Sequence, residues 1–158
     1  MIYFHEEQTF SRWLAWGIVA VAGIPAAAAA IEWLFRPGVL LPSLVAILIF
    51  LPIAAILFLA RLVVDVDGDG IDVSFHLLWP TRHINLDEVQ RARATQYSPL
   101  GAYGGWGVRL SWNGWAFTAG GSEGVLVETT GGKRIMIGSR RAKELEDAIA
   151  RAIAGRSG

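Results

Sequence analysis

Two runs of the chain hold no charged residue: Trp13 to Ile31, "WLAWGIVAVAGIPAAAAAI", and Val39 to Ala60, "VLLPSLVAILIFLPIAAILFLA". Each approaches the roughly 20 apolar residues a helix needs to cross a bilayer core of about 30 Å. "EWLFRPG" (Glu32 to Gly38) makes a short polar break between them, and Arg12 and Arg61 bound the pair. Trp13, Trp16 and Trp33 fall where amphipathic rings settle at membrane interfaces. Pro25 and Pro52 lie inside the runs, and membrane helices tolerate internal proline. The reading is a transmembrane helical hairpin, with helices over about 13–35 and 39–60. A cleaved signal peptide competes for the first run, since "AAAAA" supplies small residues, but "HEEQTFSR" is not a basic leader. Two buried core helices are the other alternative, and charge-free runs of this length are rare in soluble domains. Arg12 and Arg61 on one side against Arg36 on the other favour an inner-membrane protein with both termini cytoplasmic.

From residue 61 the pattern changes from continuous to alternating apolar, which divides a membrane anchor (1–61) from a second domain (62–158). "LVVDVDGDGIDVSF" alternates on both sides of "DGDG". A loop over Asp67 to Gly70 pairs Val66 with Ile71, Val64 with Val73 and Leu62 with Phe75, with all six on one face. Asp65, Asp67 and Asp69 are also spaced like half an EF-hand loop, but its twelfth position is His76 and no helices flank it. Tight-turn chemistry explains these residues; weak cation binding by Asp65, Asp67, Asp69 and Asp72 is the sharper alternative, and no metal site is assigned.

"RHINL" (Arg82 to Leu86) and "VQRARATQY" (Val89 to Tyr97) read as short strands. Arg82, His83, Arg91 and Arg93 make the one local basic cluster, either a solvated sheet face or, through Arg82, Arg91 and Arg93, a contact for anionic lipid head groups. Asn113-Gly114 is a type I′ turn signal, and folding about it pairs Trp112 with Trp115, Leu110 with Phe117 and Val108 with Ala119. Both tryptophans then read as core. The preceding "SPLGAYGGWG" reads as an irregular loop; Tyr97, Tyr103 and Trp106, with Arg109 off the core face, form a candidate partner contact. Its glycines match neither nucleotide-binding nor phosphate-binding spacing. In "GVLVETTGGKRIMIG" a three-residue loop, Thr130 to Gly132, pairs Val127 with Ile135 and Val125 with Ile137, with Gly132 left-handed. Ser139 then caps a helix over 140–154, with Leu145, Ile149 and Ile153 on one stripe, ended by Gly155.

"EEQTFSRW", "YSPLGAYGGWGVR" (Tyr97 to Arg109) and "GVLVETTGGKRIMIGS" (Gly124 to Ser139) give the chain a likeness over nearly its whole length. It resembles small bacterial membrane proteins in which a helical hairpin precedes a bacterial pleckstrin-homology-like domain. The resemblance implies an α+β fold: a PH-like antiparallel sheet or partial barrel of seven or eight strands, closed by the C-terminal amphipathic helix. It implies no activity, because such folds host lipid, peptide and protein binding alike.

The remaining composition narrows function by exclusion. The 14 Lys plus Arg balance the 14 Asp plus Glu, so no net field favours nucleic acid. The absence of cysteine removes thiol catalysis and Cys-based zinc sites. His5, His76 and His83 are scattered, and Ser98, Ser111 and Ser139 have no base at helpful spacing. The expectation is a membrane-anchored, non-catalytic binding domain without a cofactor, serving as scaffold or accessory subunit to another membrane protein. A lipid-sensing module is the alternative, and a homo-oligomer is compatible with either.

Overall fold

The computed structural model describes residues 2–10, 12–35 and 40–156. The chain divides into two compact units, residues 10–60 and residues 1–9 with 61–158. In the first, α1 (Arg12–Phe35) and α2 (Leu40–Leu59) form over the expected stretches, and Trp16 meets Phe58 edge to face at 5.9 Å. Of the expected break, residues 32–35 belong to α1, and residues 36–39, Arg36 among them, lie outside the described residues.

The transmembrane expectation is corrected. Among the described residues, no helix is long and apolar enough to cross a membrane. α1 carries Arg12 and Glu32 within its bounds and spends much of its length on alanine and glycine, including Gly17, Gly23, Ala27 and Ala28. The anchor, the inner-membrane placement and the cytoplasmic termini go with it. Arg61, one of the orienting charges, is the first residue of a strand and pairs with Glu7 at 2.6 Å.

The second unit is two sheets and a helix. β1 (Phe4–Thr9), β2 (Arg61–Val66), β3 (Gly70–His76) and β4 (Trp79–Asn85) form an antiparallel sheet in chain order. β5 (Val89–Gln96), β6 (Gly107–Ser111), β7 (Gly114–Thr118), β8 (Glu123–Thr129) and β9 (Arg134–Gly138) form the other, ordered β5-β8-β9-β7-β6. These are nine strands among the described residues in two separate sheets, in place of a partial barrel of seven or eight. β7 and β9 run parallel, against the all-antiparallel expectation. The physical reason is the β7–β8 connection, which skips a place so that β9 inserts between them.

Local registers explain most of the core. Leu62 pairs with Phe75, Val64 with Val73 and Val66 with Ile71, as the sequence predicts, and all six are fully buried. Val125–Ile137 and Val127–Ile135 pair as expected about Thr130–Gly132, with Gly132 at φ +73°. The strand β1 is the element the alternation rule misses. Its inward residues are Phe4, Glu6 and Gln8, and two of those three are polar. The Gln8 amide donates to the Gly138 carbonyl at 2.9 Å, so a buried hydrogen bond ties the first sheet to the second.

The closing helix, α4 (Ala142–Arg156), starts two residues later than expected and runs through Gly155. Ser139 still serves its start: its Oγ accepts the Arg141 N–H at 3.0 Å. Leu145, Ala148, Ile149 and Ala152 are buried against both sheets, while Ile153 is half-buried.

Candidate functional site

The acidic hairpin is occupied with its own chain. The Asp67 carboxylate accepts the Asp69 and Gly70 N–H groups at 2.8 and 2.9 Å, which holds it below its ordinary pKa. Asp65 meets His5 at 2.5 Å and Asp72 meets His83 at 2.7 Å. Asp69 contributes a backbone carbonyl to Arg156. Among the described residues, no group of three His, Asp or Glu side chains is placed to hold a metal ion.

His5, Asp65, Asp72 and His83 are successive cross-strand neighbours, so one row of the outer face crosses all four strands of the first sheet. Two carboxylates directly opposite repel each other, and each has an imidazole as its other neighbour in the row. The Asp72 hydrogen bond raises the His83 pKa above its ordinary 6.5 and outweighs desolvation, the next effect in size, with smaller help from Asn85 and Asp67. The folded state therefore holds this proton more tightly than the unfolded chain. Its stabilisation is complete below about pH 6.5 and fades as pH rises through the raised folded value. Urea midpoints measured at about pH 5.5 and about pH 8 should show that loss, and His83→Gln should flatten the difference. An identical pH profile in the variant would remove His83 from the account.

The basic residues do not gather. Arg82 lies on the first sheet with its guanidinium 5.4 Å from the Trp115 ring centroid. Arg91 and Arg93 lie on β5 of the second sheet; Arg91 stands opposite Glu128, and Arg93 is within electrostatic reach of Glu146 on α4.

The loop expected to bear a partner contact is a built structural element. Ser98 Oγ accepts the Gly101 N–H at 3.1 Å and caps a short helix, α3 (Pro99–Tyr103), which Gly104 ends at φ +69°. Tyr103 is buried with Ala116 and Met136, and Tyr97 packs edge to face on it at 6.0 Å. Burial pushes both phenols above their ordinary pKa. The Trp106 indole donates to the Gly121 carbonyl at 3.0 Å, and Arg109 Nε donates to the Trp106 carbonyl at 3.3 Å. Of the four residues singled out there, Arg109 is the exposed one.

The exposed aromatic surface lies one hairpin further on. β6 and β7 join through a Trp112-Asn113 turn, with Ser111 opposite Gly114 and Leu110 opposite Trp115. The expected Trp112–Trp115 pair is therefore not made, and Trp112 stands fully in solvent. The turn moved because Gly114 has another duty. At φ +98°, a Cβ there would lie 2.1 Å from the Arg134 carbonyl oxygen, so glycine is what lets β7 approach β9.

Leu110, Trp112 and Trp115 line an open groove of about 460 Å³, and Lys133 and Arg134 complete it at the β8–β9 turn. Trp115 continues the apolar surface to Trp79, 5.8 Å away between ring centroids. Leu77 and Leu78 then carry it into the β3–β4 turn, where both are exposed. Leu77 holds φ +69°, the only described non-glycine residue at positive φ. A bulky side chain there is strained, and Asn or Gly would be cheaper. The sequence signal for this surface was "HLLWP", an apolar triad before proline where a hairpin turn has to fall. Comparison with protein-family models, with curated proteins and with solved structures finds no match for the chain.

Proposed function

We propose that this chain is a non-catalytic binding domain that docks a partner protein through the surface running from Trp112 and Leu110 over Trp115 and Trp79 to Leu77. The observation that carries the reading is Trp112, fully exposed beside Leu110 at 68% exposure. Exposed tryptophan with flanking cations is the composition of interface anchors. Leu77 supports it independently: backbone strain held beneath an exposed apolar side chain is the pattern of a site kept for contact rather than stability. The candidate nucleophiles are committed elsewhere, since Ser98, Ser111 and Ser139 each accept a backbone N–H from a turn or helix start.

A photo-crosslinking residue in place of Asn113, exposed beside Trp112 in the full chain, should capture a discrete protein in cells. Trp112→Ala should abolish co-purification of that protein and leave stability within about 0.5 kcal/mol, because the side chain buries nothing in the fold. Leu77→Gly should raise stability by about 0.5–1 kcal/mol while weakening capture. Capture undiminished in both variants sinks the reading. Enrichment of acidic lipid with no protein would assign the surface to head groups instead.

A further inference from the structure

We propose that the free edge of β6 accepts an extended segment of the partner as an added strand, and that carboxylates of that segment meet Lys133 and Arg134. The inference rests on the docking reading above and names the kind of segment that docks.

The two sheets expose four edge strands, β1, β4, β5 and β6. An open edge invites pairing, and proteins blunt it with proline, bulges, inward charges or a covering helix. β1 turns the buried Glu6 inward. β4 carries Pro80, and its pairing with β3 is irregular. β5 has a register break near Val89, two exposed arginines and α4 packed against it. β6, "GVRLS", has an unbroken register and no proline, and the short helix that contacts it, α3, seats Tyr103 on Ala116 and Met136 of β7 and β9. Its one charge, Arg109, bends back to the Trp106 carbonyl.

The geometry of the edge follows from the turn. A two-residue turn makes Ser111–Gly114 a hydrogen-bonded pair, and alternation does the same for Arg109–Ala116 and Gly107–Thr118. The N–H and C=O groups of Val108 and Leu110 therefore point away from β7, toward the open side. A strand added there offers alternate side chains to Leu110 and Trp112 and, continuing past Ser111, enters the groove. Lys133 and Arg134 line that groove and no carboxylate does. Arg134 Nε is 3.2 Å from Glu128, which leaves Lys133 as the main point of attraction.

The test uses the full chain, amide chemical shifts and four probes. These are a short peptide alternating glutamate with valine, its lysine-for-glutamate twin, its backbone N-methylated twin, and anionic phospholipid vesicles. The acidic peptide should move the Val108 and Leu110 amides and bind at least about tenfold more tightly than the lysine twin. N-methylation should abolish binding by blocking the ladder, and Lys133→Glu should erase the charge preference. Equal binding by either twin overturns the proposal, and so does no peptide binding at all. Vesicle binding without peptide binding, or concentration-dependent self-association through β6, overturns it by assigning the edge to lipid or to a second copy. If crosslinking at position 113 captures a protein while the peptide arms fail, strand addition falls and docking stands. Failure of both discards both.

Discussion

Gly114→Ala is expected to be among the most damaging single-methyl changes in the protein, costing about 3–5 kcal/mol and threatening a domain whose whole stability is about 5–15 kcal/mol. Two costs coincide. The residue sits at φ +98°, where an L side chain is strained, and the new Cβ would lie 2.1 Å from the Arg134 carbonyl oxygen and 2.9 Å from its carbon. Neither neighbour is a side-chain tip that can swing away, so β7 and β9 must separate. Two other glycines divide the costs. Gly121 is at φ +72° with nothing within 4 Å, and its alanine variant should lose only about 1 kcal/mol of backbone strain. Gly124 has no positive φ, yet its Cβ would meet the Ile137 carbonyl oxygen at 2.4 Å. Gly124→Ala should fall between the other two. Urea titrations of the three variants test the order, and Gly114→Ala no worse than Gly121→Ala would mean that strand approach is not what this glycine provides.

That glycine also shows where sequence reasoning stops. Asn113-Gly114 reads locally as a turn, and the local reading slides the β6–β7 register by one residue on each strand. The glycine answers instead to β9, which lies about 20 residues on and reaches β7 through a parallel pairing that no hairpin rule supplies. Trp112 consequently loses its cross-strand partner and becomes surface. Where both constraints are local, the reading works. Asp67 closes its turn with its own carboxylate, Gly132 takes the left-handed position, and the registers on either side follow. The candidate site was legible by composition and not by place. The dense aromatic stretch does hold the exposed Trp112, but Tyr103 is core and Tyr97 packs against it, because Ser98 and Gly104 wind their loop into a capped turn. The membrane reading rested on charge-free runs, interfacial tryptophans, tolerated prolines and flanking arginines, and none of these measures how far a helix as rich in alanine and glycine as α1 stays apolar.

The strand β1 is the other element a local reading cannot see, and replacing its buried carboxylate should show why it matters. Glu6 reaches the start of α4, where Ser139 Oγ–H and, at 3.1 Å, the Arg140 N–H donate to it. Ser139 in turn accepts the Arg141 N–H. A residue about 130 positions away thus satisfies donors at a helix start and places a negative charge at the positive end of its dipole. Glu6→Ala strands those donors in a buried site and should cost about 2–4 kcal/mol. Glu6→Gln keeps the shape without the charge and should cost less. Glu7 is the control one residue along, pointing to the opposite face. It meets Arg61 in solvent, and Glu7→Ala should be indistinguishable from the parent because exposed pairs add little. A fragment beginning at residue 61, which the alternation pattern alone would recommend as a domain, leaves β2 with β3 but without β1 and leaves α4 without its carboxylate. It should fail to fold cooperatively where the full chain does. Cooperative unfolding of that fragment at the parent midpoint, or equal losses for the Glu6 and Glu7 variants, would show β1 to be an appendage rather than part of the fold.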